Sequence, residues 1–189
     1  MEIELKNITC ERSGVKIFEG IDLTLNSGEK GIIQGSNGSG KSTLLRSIAG
    51  ILPISSGSIK INNKADIFLL GHNQAIKQDF TVKEDLIFWS NLYNQKFNNE
   101  LSKRLFLSNE LNTQCKYLSQ GQKQKLALSR LICSNKKIWL LDEPFSFLDN
   151  EASKNLIFEI NNNCAKGGIV LIASHNDLIR DPNLVINLE

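Results

Sequence analysis

The sequence predicts an α/β fold: a parallel sheet covered by helices, with an N-terminal antiparallel β-subdomain and a helical insert. Three observations predict it. Short apolar runs, "GIIQG" from Gly31, "IWLL" from Ile138 and "GIVLIA" from Gly168, alternate with segments of helical periodicity, the pattern of strands buried on both faces. The first 26 residues instead alternate apolar with polar positions, as a sheet with one buried face does. Between about residues 81 and 130 the apolar positions recur at helical spacing, which marks an insert of different character.

Each element follows in order. Ile3 and Leu5, then Ile21, Leu23 and Leu25, form the inward faces of two antiparallel strands, with Ser13-Gly14 as the turn between them. "EKGIIQG" is a short buried strand ending in a glycine loop at Gly35. The helix from Lys41 places Leu44, Leu45 and Ile48 on one face and stops around Gly50 and Pro53. "GSIKIN" and "ADIFLLG" read as two further strands. In the insert the helical apolar positions are Leu86, Ile87, Leu92, Leu101 and Leu105. Ser119 and Gln122 form an S-x-x-Q capping box, in which each side chain satisfies a free backbone N–H, so a helix starts there. "KKIWLLDEP" returns to strand, "NEASKNLIFEINNNCAKG" is a helix closed by Gly167, and "GIVLIASH" and "NLVINLE" are the last two strands.

A length of 189 residues fits a single domain spanning 1–189, large enough to bury a stable core. Cys10, Cys115, Cys133 and Cys164 lie far apart without a C-x-x-C pair, which speaks against a zinc ribbon or redox motif and for reduced, cytosolic thiols. The 22 basic and 20 acidic residues are well mixed, leaving a net charge of +2 and no footprint of a nucleic-acid binder. The opening "MEIELKNITCERSG" has no apolar signal core, and no apolar run approaches the ~20 residues that span a bilayer. Any membrane role is therefore expected to come through a partner.

The chemistry concentrates at strand ends. Gly35-Ser36-Asn37-Gly38-Ser39-Gly40-Lys41-Ser42, followed by Thr43, matches G-x-x-x-x-G-K-[ST] between a predicted strand and a predicted helix. Glycines let successive backbone N–H groups approach a β-phosphate, Lys41 neutralises β- and γ-oxygens, and the Ser42 hydroxyl reaches Mg²⁺. Read otherwise, the stretch is a glycine-rich turn before a capped helix. Asp142 and Glu143 follow a buried strand at its carboxyl end, where open α/β sheets place their ligand chemistry. Asp142 would hold Mg²⁺, directly or through water, and Glu143 would orient or deprotonate the attacking water. A solvated Asp-Glu turn is the plainer reading, and the shared triphosphate tips the balance. Ser174-His175 ends another buried strand on the same edge, where a neutral imidazole can bond the γ-phosphate and hold Glu143 and the water in register. The amino end of the helix at Ser119, with its free N–H groups and Gly121, is a second place suited to phosphate.

The order "GSNGSGKS", "LSQGQ", "WLLDEP", "FLD" and "SH" resembles the nucleotide-binding subunits of ABC transporters over almost the whole chain. The resemblance implies a P-loop NTPase (ABC ATPase) core, ATP and Mg²⁺ as ligands, and a helical signature subdomain at about 81–130. It further implies a homodimer in which two nucleotides are sandwiched head to tail. Ser119, Gly121 and Gln122 then bind the γ-phosphate held by the partner copy, and Asp149 communicates across the interface. Two positions depart from the family pattern. Where an aromatic would stack on adenine stands Arg12, whose planar guanidinium can stack less specifically. Where the Q-loop glutamine would hold Mg²⁺ or water stands His72, with Gln74 two places on as the alternative.

"CER" near the start, "GHNQAIK" leading to "TVKEDL", and an end soon after "SH" are similar to the ATP-binding subunits of haem exporters in bacterial cytochrome c maturation. That similarity implies multispanning membrane permease subunits as partners, no nucleic acid, and a peripheral location on the cytoplasmic face of the inner membrane. Cargo stays open at this point: another small transporter, for a lipid, metal or amino acid, is the alternative. A soluble ABC ATPase acting on DNA or ribosomes is disfavoured, since neither a coiled-coil insertion nor a second cassette is present.

Overall fold

A computed structural model describes residues 2–71, 74–97, 107–175 and 178–188. The N-terminal hairpin pairs β1 (Glu2–Arg12) with β2 (Val15–Asn26), and β4 (Ser56–Ile61) joins the other edge of β1, giving a three-stranded antiparallel sheet ordered β2-β1-β4. The turn residues Ser13 and Gly14 both take positive φ, 49° and 76°. That two-residue form matches the right-handed twist of its strands. Ile3 pairs with Leu25 and Leu5 with Leu23, so the alternating apolar positions share one buried face.

The second sheet is wholly parallel. Its order is β5-β6-β7-β3-β8, built from β3 (Lys30–Gly35), β5 (Ile67–Leu70), β6 (Ile138–Asp142), β7 (Ile169–Ala173) and β8 (Leu184–Leu188). Successive residues of the central strands serve opposite cores. Ile138 and Leu140 of β6 and Ile169, Leu171 and Ala173 of β7 face the antiparallel sheet and α1 (Lys41–Ile48), which contributes Leu44, Leu45 and Ile48. Trp139, Leu141, Val170 and Ile172 face the other helices: α2 (Val82–Leu92), α3 (Gln120–Cys133) and α4 (Asn150–Ala165). Double-sided burial explains the uninterrupted apolar runs, and truncating Leu140 to alanine would cost roughly 2–5 kcal/mol.

Between α2 and α3 the described chain makes only the short 3₁₀ turns Ser108–Glu110 and Cys115–Tyr117. Leu101 and Leu105 lie outside the described residues. Leu86 is buried in the core as expected, whereas Leu92 is 57% exposed at the carboxyl end of α2. Thr81 and Glu84 complete a capping box on α2. Behind α2 a buried ion pair joins Asp85 to Arg130 of α3, with Arg130 Nη2 3.0 Å from Asp85 Oδ1.

Gly167, at φ 81°, closes α4 as expected. Its N–H bonds the Cys164 carbonyl at 2.8 Å, a glycine end in left-handed conformation. All four cysteines are free thiols. Burial pushes the Cys115 thiol up to about 11. Among the described residues no helix is long and apolar enough to cross a membrane.

Candidate functional site

Strand register assembles the site. Ala173 at the end of β7 pairs with Ile33 of β3 on one side and with Asp142 of β6 on the other. The loop after Gly35, the Asp142-Glu143 pair and Ser174-His175 therefore leave the sheet at one edge. They border a cleft of about 440 Å³ lined by Ile17, Asn37, Gly38, Gly40, Lys41, Ser42, Thr43, Asp142, Glu143, Ser146 and His175.

The glycine loop is built by close approach. A side chain at Gly35 would bring its Cβ within 2.3 Å of the Leu188 carbonyl oxygen, and one at Gly40 within 2.8 Å of Ile17. Gly40, at φ 98°, is the N-cap of α1 and makes no side-chain cap; no acidic residue occupies the first turn. The free N–H groups of that turn thus face no anion of their own, which suits a phosphate. Lys41 is only 7% exposed, and its ammonium donates to the carbonyls of Gly35 at 2.8 Å and Ser36 at 2.9 Å. Ser39 is buried, and its hydroxyl has no hydrogen-bond partner among the described residues.

Opposite the loop, Asp142 is 5% exposed. Glu143 sits at φ 50°, an unusual backbone for a non-glycine residue, and its N–H is fixed to the Ala173 carbonyl at 2.9 Å. Its Oε1 is buried without a hydrogen-bond partner among the described residues, with His175 Nε2 at 3.4 Å. His175 Nε2 lies 3.2 Å from Lys41 Nζ. The Ser42 hydroxyl and the Asp142 carboxylate share the cleft, and no group of three or more His, Cys, Asp or Glu that could hold a metal ion occurs among the described residues. This donor set fits Mg²⁺, which takes one or two protein ligands and completes its shell with phosphate oxygens and water.

A second cleft of about 520 Å³ adjoins the first through Asp142, Glu143 and Ser146, and is further lined by Gly71, Gln74, Gln120, Gln124 and Phe147. Gln74 therefore stands beside the carboxylates; His72 lies outside the described residues. Arg12 is exposed at the end of β1 and lines neither cleft. From the β-subdomain, Ile17 lines the cleft, and both Ile17 and Phe18 approach the phosphate loop at Gly40.

Ser119, Gly121 and Gln122 also line neither cleft. Their capping box is fully formed: Ser119 Oγ accepts from the Gln122 N–H at 3.2 Å, and Gln122 Oε1 from the Ser119 N–H at 2.9 Å. A Cβ at Gly121 would lie 2.7 Å from the Phe147 carbonyl oxygen. Phe147, at φ 64°, is 64% exposed. Asp149 caps α4, its Oδ1 accepting from the Ala152 N–H at 2.7 Å, and its Oδ2 takes a hydrogen bond of 2.7 Å from Lys125 of α3.

Sequence reasoning missed Ile17, Ser146, Gln124 and Lys125. Each is an ordinary residue in an ordinary segment, and only the packing of distant elements brings it to the site.

A parallel sheet carrying a lysine-bearing glycine loop and a carboxylate pair at one edge defines a P-loop nucleotide triphosphatase. Residues 18–146 match the family described as ABC transporter. The chain is 40% identical to the cytochrome c biogenesis ATP-binding export protein CcmA of Reclinomonas americana, over 93% of this chain and 86% of that one. It is 36% identical to the protein of the same name from Aliivibrio fischeri, over 96% and 95%. Its fold superposes on an ABC transporter ATP-binding protein of Pyrococcus furiosus with a TM-score of 0.85 at 26% identity, covering 100% of this chain and 98% of that one. The chain belongs to the ABC transporter family and, within it, to the CcmA family of cytochrome c biogenesis ATP-binding export proteins.

Proposed function

We propose that this chain is the ATP-hydrolysing subunit of a transporter that powers haem export or delivery for c-type cytochrome biogenesis. The observation that carries the ATPase part is the single cleft that gathers Lys41, Ser42, Asp142, Glu143 and His175 from three adjacent strand ends. The names of its relatives carry the pathway.

In this reading the N–H groups of the glycine loop and of the α1 amino end cradle the β-phosphate, and Lys41 exchanges its loop carbonyls for phosphate oxygens. Ser42 and Asp142 hold Mg²⁺, which supplies charge neutralisation at the transferring phosphoryl group. Glu143 accepts a proton from the attacking water. His175 positions the γ-phosphate and that water. A second copy closes the cleft with its own Ser119, Gly121 and Gln122, and Asp149 reports closure across the interface. The absence of these three residues from their own chain's clefts supports that arrangement. Integral permease subunits carry the cargo, and the ATPase dimer sits peripherally on the cytoplasmic face of the inner membrane.

Detergent extraction of the tagged chain tests the whole. Co-purification with multispanning haem-handling proteins and Mg²⁺-dependent ATP hydrolysis are expected. An unrelated permease would move the cargo assignment, and an inability to bind ATP would remove the enzyme assignment.

A further inference from the structure

Gln124 on α3 is 6% exposed yet borders the second cleft beside Asp142 and Glu143. Both ends of its amide are engaged. Its Oε1 accepts from Gln74 Nε2 at 2.6 Å, and its Nε2 donates at 3.0 Å to the carbonyl of Pro144, the residue after Glu143. The backbone around Gln74 is held from the same helix. Arg130 donates to the carbonyls of Gln74 and Ala75, and Ala75 takes a left-handed φ of 47°. Residue 74 is thus fixed by side chain and by main chain to α3, while its side chain borders the carboxylates.

We infer that Gln124 is a positioning residue that holds the Gln74 amide at the Asp142–Glu143 side of the site, so that α3 sets the geometry of the metal and γ-phosphate. The inference rests on the ATPase reading above. It assigns Gln124 the part of an outer-shell partner: loss of such a partner costs metal affinity while the phosphate cradle, made by other elements, is untouched. Because α3 begins at the capping box offered to the partner's nucleotide, Gln124 also joins that end of the helix to its own chain's carboxylates.

Calorimetric titration of the full chain with ATP, once in EDTA and once in Mg²⁺, tests it. Wild type is expected to bind ATP more tightly with Mg²⁺. Gln124→Met, close in volume but unable to bridge two partners, should keep the EDTA affinity within about twofold and lose about tenfold in the Mg²⁺ titration. Gln74→Ala should lose the same increment, and the double variant should be no worse than Gln74→Ala alone. Melting curves monitor folding. If Gln124→Met does not fold, Gln124→Asn, too short to reach both partners, replaces it. Wild-type behaviour in both titrations, equal losses with and without Mg²⁺, additive losses, or a wild type indifferent to Mg²⁺ would each overturn the inference. A wild type that binds no ATP in either buffer overturns the ATPase reading itself.

Discussion

The Lys41 ammonium and the His175 ring are in hydrogen-bonding contact, Nζ to Nε2, at 3.2 Å. An ammonium has only donors, so in this contact the imidazole nitrogen is the acceptor. The same Nε2 lies 3.4 Å from Glu143 Oε1, a buried oxygen with no hydrogen-bond partner among the described residues. Lys41, His175 and Glu143 thus form one connected unit at the cleft.

In the proposed nucleotide complex, Lys41→Ala would remove a charge-assisted contact to phosphate worth about 1.5–3 kcal/mol. ATP affinity should fall about 10- to 100-fold with or without Mg²⁺, read by calorimetry. Unchanged affinity would show that the ammonium stays on its own loop carbonyls.

Glu143→Gln keeps the shape of the cleft but not the proton acceptor. Turnover should drop by about 10²–10⁴ while ATP binding persists, and light scattering should register a nucleotide-dependent dimer. Ordinary turnover in this variant would strip Glu143 of its assigned role.

Ser119 carries two effects that substitution can separate. Ser119→Ala loses the cap and should cost about 1 kcal/mol of stability, seen as a lower melting temperature. In the proposed head-to-tail dimer, Ser119→Arg should in addition abolish turnover while leaving ATP binding by the isolated chain intact, because the arginine would obstruct only the opposing half-site.

The pair Asp85–Arg130 is buried, and removing one partner strands the other. Arg130→Met should destabilise the fold by about 3–5 kcal/mol, and Asp85→Leu on top of it should restore much of the loss. Denaturant unfolding of the single and double variants checks this, and a double variant as weak as the single one would contradict it.

The Ala152 N–H and, after it, the Lys125 ammonium hold the Asp149 carboxyl below its ordinary value. A group depressed in the folded state stabilises it above the unfolded value of about 4, and that contribution is lost as pH falls through the folded value. Asp149→Asn keeps a cap acceptor but cannot titrate. Its melting temperature should therefore fall less steeply than wild type between about pH 5 and pH 3. Parallel curves would mean that the Asp149 carboxyl is not held below its ordinary value in the folded protein.

Much of this was legible in the chain itself. The eight strands among the described residues follow from apolar runs because burial on one or both faces leaves a period in the sequence, and the glycine loop is written in contiguous residues. The capping box at Ser119 could be read because its partners lie within four residues. Gln124 and Lys125 could not, since their partners at 74, 144 and 149 are set by helix packing rather than spacing. Arg12 shows the opposite limit: the family pattern alone points to it, whereas Ile17 of the same hairpin is the residue that lines the cleft.

Phe147 adds a final consequence. An aromatic in left-handed backbone is strained by roughly 1–3 kcal/mol, and with most of its ring in water it recovers little of that within its own chain. The lone polypeptide is therefore less heat-resistant than its interior would allow, and glycine at this one turn would return the part of that strain which exceeds its own greater loss of backbone entropy on folding.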